Sequence, residues 1–405
     1  INKVAQKRDN RQLKNENGMD TATQQKKRIL AVDILRGMTI AGMILVNNPG
    51  TDTVYAPLEH AEWIGLTPTD LVFPFFMFIM GITTYLSLKK FEFKWSVECG
   101  RKIAKRALLL WLIGLAISWL FMFCRGLLDP DMSSMPFGSR LWASVNTFDQ
   151  LRLLGVLPRL GICYGLAAVV ALSVKHKYIP WLIAIIFIGY YILLETCNGY
   201  AHDASNILAI VDDAVLGHGH VYRWESPDPE GLLSTFPALA HVLIGFCVGR
   251  TVMEMQNLND KIERLFLIGA LLTFAGFLLS YACPISKKLW TPTFAMVTCG
   301  LASTLLALLT WYIDKHGHEN KGTLFFQVFG VNPLALYVLS DLLLIPISML
   351  PLIGGASIHA FTFDNLLMPV LCSVKATSLA WALLYVILNW ACGYYLFKKK
   401  IYIKL

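Results

Sequence analysis

The chain has 405 residues, of which 56% are hydrophobic and 15% charged, and a net charge of +8. Soluble domains carry about 25% charged residues, so this composition argues against a large soluble core and for a polytopic membrane protein. The nine cysteines lie mostly inside apolar stretches with no Cys-x-x-Cys pair, which leaves them as small buried hydrophobes and suggests neither a zinc site nor a disulfide framework.

Residues 1–28 are polar, basic and rich in Asn and Gln. They are expected to be a disordered tail, with Met19 the natural start and the preceding residues a cloning remnant. They hold no apolar centre of a signal peptide. From residue 29 to 405 the chain reads as one all-α membrane domain with no large soluble part and no internal repeat. Ten apolar segments are long enough to span a bilayer, near 31–49, 69–89, 105–124, 155–174, 178–196, 233–252, 263–282, 293–313, 323–349 and 375–397.

The first span carries Asp33 and Arg36 at i, i+3, either an interfacial ion pair or the wall of a polar mouth. It ends in "ILVNNPG", where Pro49 and Gly50 already supply the stop. Asn47 and Asn48 are then amides where water is scarce, and Asn47, which belongs to the helix end, is favoured as functional. The stretch "EHAEWIGLTPTDLVFPFFMFIMG" follows, with His60 in a loop and Asp70 at a helix start. Asp70 reads as an N-cap favoured by the helix dipole, or as the carboxylate that orients a nearby imidazole. His60 alone would be polar surface; with Asp70 it becomes a base for neutral pH. Arg159 opens the fourth span beside Arg152, placed to snorkel outward or to bind an anion. His241, within the sixth span, reads as a satisfied core histidine. "GHGH" at 217–220 has loosely metal-like spacing without a partnering cluster, so no metal is expected. The ninth span is interrupted by "GVNPLALY" and "LIPIS", breaks tolerated only where the freed backbone faces protein or water, so it is expected to line a cavity.

The tail, 89–106, 175–177, 250–264, 314–321 and 398–405 hold 26 of the 35 Lys and Arg residues. The positive-inside rule then puts both termini in the cytoplasm and the His60 loop outside, together with 125–154, 197–232, 283–292 and 350–374. The same asymmetry explains the +8 charge. No basic groove interleaved with aromatics is visible, so nucleic acid is not an expected partner.

"VDILRGMTIAGMILVNN" followed by "HAEWIGLTPTDLVFPFFMFIMG" resembles the opening of the catalytic domain of heparan-alpha-glucosaminide N-acetyltransferase and its bacterial relatives. "GVLPRLGICY", "DPEGLLSTFPAL", "PISKKLWTPTFAMVTCG", "FGVNPLALYVLSD" and "LFKKKIYIKL" continue the likeness, which covers about residues 30–405. The resemblance implies a multi-pass acyltransferase, expected in a bacterial inner membrane, that moves an acetyl group from cytosolic acetyl-CoA to an amino sugar or related glycan on the far side. It maps the catalytic histidine onto His60, the helix-ending asparagine onto Asn47, the "DLVFP" aspartate onto Asp70 and the "RLG" arginine, as a donor-binding residue, onto Arg159. Asn47 would donate to the oxyanion. Lys102, Lys105 and Arg106 are candidates for the donor's phosphates, against a reading as topology-setting charges. His60 as general base in a ternary complex and His60 as acetylated nucleophile both stay open. A transporter without acyl transfer and a scaffolding subunit are the rival classes. Membrane lipid is an expected partner, and a homodimer is one of the states left open.

Overall fold

In hydrocarbon every backbone polar group must be bonded within its own segment, so long apolar runs become helices. The computed structural model describes residues 30–222 and 226–403; the tail at 1–28 lies outside them. The helices are α1 (Leu30–Asn47), α2 (Val72–Lys89, entered through a tight turn at Pro68–Leu71), α3 (Val97–Leu128), α4 (Phe137–Val145), α5 (Val156–Ser173), α6 (Ile179–Thr196) and α7 (Ile207–Leu216). They continue with α8 (Thr235–Glu254), α9 (Leu258–Leu279), α10 (Pro292–Leu309), α11 (Lys321–Val331), α12 (Pro333–Leu344), α13 (Ile358–Leu371) and α14 (Val374–Lys398). Among the described residues nine helices are long and apolar enough to cross a membrane, and α11 with α12 is a pair bent by 83°, which makes a tenth span if the two cross together and a re-entrant loop if they do not. The protein is an all-α, integral, multi-pass membrane protein. The described residues contain no sheet, only an isolated bridge between Ile353 and Ala356.

Two details differ from the sequence pattern. The third helix starts at Val97, because the Ser96 hydroxyl accepts the Cys99 amide at 3.1 Å and caps it. Its 32 residues run well past a hydrocarbon layer of about 30 Å. The segments 125–154 and 197–232, which read as loops, fold into α4, α7 and short turns packed over one end of the bundle.

Glycine lets the central helices touch. A Cβ on Gly37 would lie 1.7 Å from the Phe326 carbonyl oxygen, and one on Gly330 would lie 1.9 Å from that of Asp33, so α1 and α11 meet backbone to backbone. The bend between α11 and α12 sits at Asn332, which is buried. Arg36 donates through Nε to the Gly330 carbonyl at 2.8 Å and through Nη2 to Asp33 at 2.7 Å. The Asp33–Arg36 pair is thus an ion pair, and its arginine also satisfies a backbone carbonyl next to the bend.

Candidate active site

The segment "TPTD" begins α2 with Pro68 at the first helical position, where a missing N–H costs nothing. Asp70 then turns back on the chain. Its Oδ2 accepts the backbone N–H of Thr67 at 3.1 Å and of Ala61 at 3.1 Å, with the Thr67 hydroxyl at 3.0 Å. Its Oδ1 lies 2.6 Å from His60 Nδ1. Capping and histidine orientation are thus the tasks of two oxygens of one carboxylate. At 2.6 Å an imidazole lone pair facing a carboxylate would be repelled, which assigns the proton to Nδ1, donating to Asp70, and makes Nε2 the acceptor of the neutral ring.

A third group completes the arrangement. Lys287, in the loop between α9 and α10, places Nζ 3.0 Å from His60 Nδ1, 3.5 Å from His60 Nε2 and 3.5 Å from Asp70 Oδ1. The side chains of His60, Asp70 and Lys287 are 46%, 1% and 18% exposed, so the histidine is the accessible member of the trio. Burial pushes the Lys287 ammonium below its ordinary range, and the charges of Asp70 and Glu230 act in the opposite direction. His60 lines an open cavity of about 360 Å³ between the end of α1, the loop at 49–60 and the start of α14, with Asp52, Tyr55, Glu59 and Lys375 on its walls.

Behind Lys287 lies a buried charge layer from the 222–234 region. Arg152 donates through Nε to Asp228 at 3.0 Å and through Nη2 to Glu230 at 2.6 Å, with a second bond to Asp228. Arg159, on α5, is fully buried, donates to the Gly231 carbonyl at 3.0 Å and to the Ser234 hydroxyl, and sits 5.4 Å over the Trp290 ring. A Cβ on Gly231 would lie 2.0 Å from Asp212 Oδ2, so a side chain there would have to displace that carboxylate. Burial raises the Asp212 carboxyl to about 6.

Burial also works to raise the Glu230 carboxyl, but Arg152 and Arg159 outweigh it and leave it below 4.5. A carboxylate depressed on folding stabilises fully above its unfolded pKa and loses that stabilisation as pH falls through the folded value. Below about pH 4.5 the parent should therefore lose thermal stability more steeply than Glu230→Gln, which has no proton to take up. Melting curves from pH 7 to pH 3 check this; parallel curves would remove Glu230 from the acid response.

The other sequence-predicted residues make no hydrogen bond to His60 among the described contacts. Asn47 is exposed at the end of α1, whereas Asn48 is buried and donates to the Ile44 carbonyl at 2.8 Å. Lys102 and Arg106 share a second cavity of about 320 Å³ with Arg36, Phe76, Leu160, Leu334 and Ile403, toward the opposite end of α1. Lys105 is exposed and does not line it. Phe76, Leu160 and Leu334 also line a void of about 10 Å³ with Met43, Val156 and Tyr337, room for about one water. His241 is buried, its Nε2 2.8 Å from the Pro74 carbonyl. In "GHGH", His218 is exposed 3.4 Å from Asp213, and His220 Nδ1 donates to the Leu151 carbonyl at 2.8 Å.

A helical membrane bundle with a carboxylate-oriented histidine between a cavity open at one end and a basic cavity at the other defines the class: a membrane protein whose polar centre sits at the edge of the bundle. The family model for the catalytic region of heparan-alpha-glucosaminide N-acetyltransferase matches residues 28–283, more than half of the chain, and the chain belongs to that family. It is 26% identical to the human heparan-alpha-glucosaminide N-acetyltransferase over 377 residues, covering 77% of this chain and 52% of that protein. The mouse protein of the same name is 25% identical over 385 residues, covering 79% and 54%. The chain thus spans about half the length of the curated relatives it matches.

Proposed function

We propose that the protein is an N-acetyltransferase that passes an acetyl group from cytosolic acetyl-CoA to the amine of a sugar presented at the opposite membrane face. The observation that carries this reading is the His60–Asp70–Lys287 cluster, with His60 lining the 360 Å³ cavity. In this reading the acceptor amine occupies that cavity, where Asp52 and Glu59 favour its cationic form. Once the ammonium has released one proton to solvent, the neutral amine attacks the thioester carbonyl and gives a second proton to His60 Nε2, and the nitrogen keeps its third hydrogen in the amide. Lys287, within 3.5 Å of His60 Nε2, stabilises the oxyanion of the tetrahedral intermediate. Collapse expels the coenzyme A thiolate, which takes a proton, and leaves the N-acetyl sugar.

The donor's nucleotide would lie in the 320 Å³ cavity against Arg36, Lys102 and Arg106, cations suited to phosphate. Its thioester arm would run along α1 past Phe76, Leu160 and Leu334, which border both that cavity and the small void beyond it. From Arg36 to Asn47 is roughly 16 Å of helix axis. The void has room for about one water, so the arm must displace side chains such as Met43 to pass, which would keep the acyl group from bulk water until then. Protein reconstituted in vesicles, given radiolabelled acetyl-CoA on one side and a panel of amino sugars on the other, should yield labelled N-acetyl sugar. Label that stays on the protein without acceptor would favour an acetyl-histidine route.

Sidedness has its own check. With the basic ends cytoplasmic, Ser357→Cys should react with an impermeant thiol reagent added outside and Ser96→Cys should not, each in a background without the exposed Cys197 and Cys372. The reverse labelling would put the His60 cavity on the donor's side and end the transmembrane reading.

A further inference from the structure

The carboxy-terminal strand does not trail away from the bundle. Asn332, buried at the bend between α11 and α12, donates through Nδ2 to the Ile401 carbonyl at 2.8 Å, and its Oδ1 accepts the Ile403 N–H at 2.9 Å. One side-chain amide thus takes the same pair of backbone groups, C=O of one residue and N–H two further on, that a neighbouring strand would take. Two bonds from a buried donor and acceptor fix both position and direction of the segment. The clasp has a consequence for the basic cavity. Val331 and Pro333, on either side of Asn332, line it, and so does Ile403 itself. Arg36 ties in the same bend through the Gly330 carbonyl.

We propose that this segment is a closing wall of the donor cavity, held by Asn332, and that it retains the phosphate-bearing nucleotide head of the acyl donor. The inference rests on the reading of that cavity as the donor site. The positively charged wall comes from Arg36, Lys102 and Arg106, and the apolar wall includes Ile403, Val331 and Leu334. A nucleotide head needs both, one for its phosphates and one for its base. The clasp also makes the wall removable without disturbing a span, because its bonds reach only the segment beyond α14.

Ile403→Pro removes the single N–H that Asn332 Oδ1 accepts and leaves every span intact; Asn332→Ala removes both bonds. Linkage requires that if the clasped wall favours the nucleotide, the nucleotide favours the clasped wall by the same factor. The test uses nanodiscs of phosphatidylcholine, with coenzyme A, adenosine 3′,5′-bisphosphate and pantetheine as probes. For the parent, coenzyme A and the bisphosphate should slow tryptic cleavage after Lys398–Lys400, and pantetheine should not. Ile403→Pro should weaken coenzyme A binding by about tenfold, with an unliganded melting temperature near that of the parent, and Asn332→Ala should weaken it at least as much. Parent-like affinity in Ile403→Pro, or equal protection by pantetheine, overturns the wall. Protection by phosphatidylglycerol in place of nucleotide shows that a lipid headgroup is the occupant and also overturns it. A parent chain that binds no coenzyme A at all refutes the donor-site reading itself, which is a separate result.

Discussion

His60→Ala should bind acetyl-CoA as the parent does and transfer its acetyl group about 10²–10⁴-fold more slowly, the usual contribution of a positioned general base. The two halves of this expectation have separate structural grounds. The histidine lines the outer cavity and is absent from the walls of the basic one, so the donor's phosphates do not meet it. Its ring is 46% exposed and its polar contacts are Asp70 and Lys287, which keep each other as an ion pair when it is gone. The melting temperature should therefore change little, in line with substitutions outside a packed core. Calorimetry with acetyl-CoA measures the first half and single-turnover transfer to an amino sugar the second. Added imidazole should recover part of the rate, because it can occupy the space the ring leaves and accept the same proton. Turnover within a factor of about three of the parent would take His60 out of the proton transfer.

How much of this could be read in the sequence depends on the kind of information each feature needs. The spans are local and compositional, so nine of the expected ten are single apolar helices near where hydropathy puts them, and the break in the ninth is announced by Asn332–Pro333. The His60–Asp70 pair is nearly local: ten residues, a proline and a capping threonine bring the two together before any other helix packs. Lys287 is a different matter. It lies 227 residues from His60, in a Lys–Lys pair that resembles ordinary polar loop, and only the packing of the α9–α10 loop over the start of α2 brings it to the site. Its sole advance signal was its place among the segments that hold few of the chain's basic residues. Glu230 and Arg152 share that difficulty, since a charged residue in a loop gives no sign that the loop is buried. The rotation of α1 against its neighbours, which leaves Asn47 exposed and buries Asn48, was not legible either. The clasp between Asn332 and the segment at 401–403 spans 69 residues, and no pattern in either segment points to the other.

The strongest coupling in the site should appear between Asp70 and Lys287, and it should appear in stability and not in activity. Asp70→Asn keeps the volume but removes the anion. If the amide turns its NH₂ toward His60, it faces the Nδ1–H; if it turns its oxygen there, its NH₂ faces the backbone N–H groups of Ala61 and Thr67 that Oδ2 now accepts. One of these conflicts must be relieved, and the simplest relief moves the ring proton to Nε2, where the base should be. In the serine-protease triad the same change lowers turnover by about 10⁴, and a loss of that order is expected here. The variant also strands Lys287, a largely buried cation whose remaining carboxylate neighbour is Glu230. Leaving a buried charge without its partner costs about 3–5 kcal/mol, whereas replacing both partners can be nearly neutral. The double variant Asp70→Asn, Lys287→Met should therefore melt closer to the parent than Asp70→Asn does, while its transfer rate stays at least as low. A thermal-denaturation cycle over the two single variants and the double gives the coupling directly. Additive losses of stability would mean that the 3.5 Å approach carries no net energy and that Lys287 is held by its loop. Recovery of activity along with stability would mean that Asp70 serves the fold of the α2 entrance and that His60 needs no orienting carboxylate.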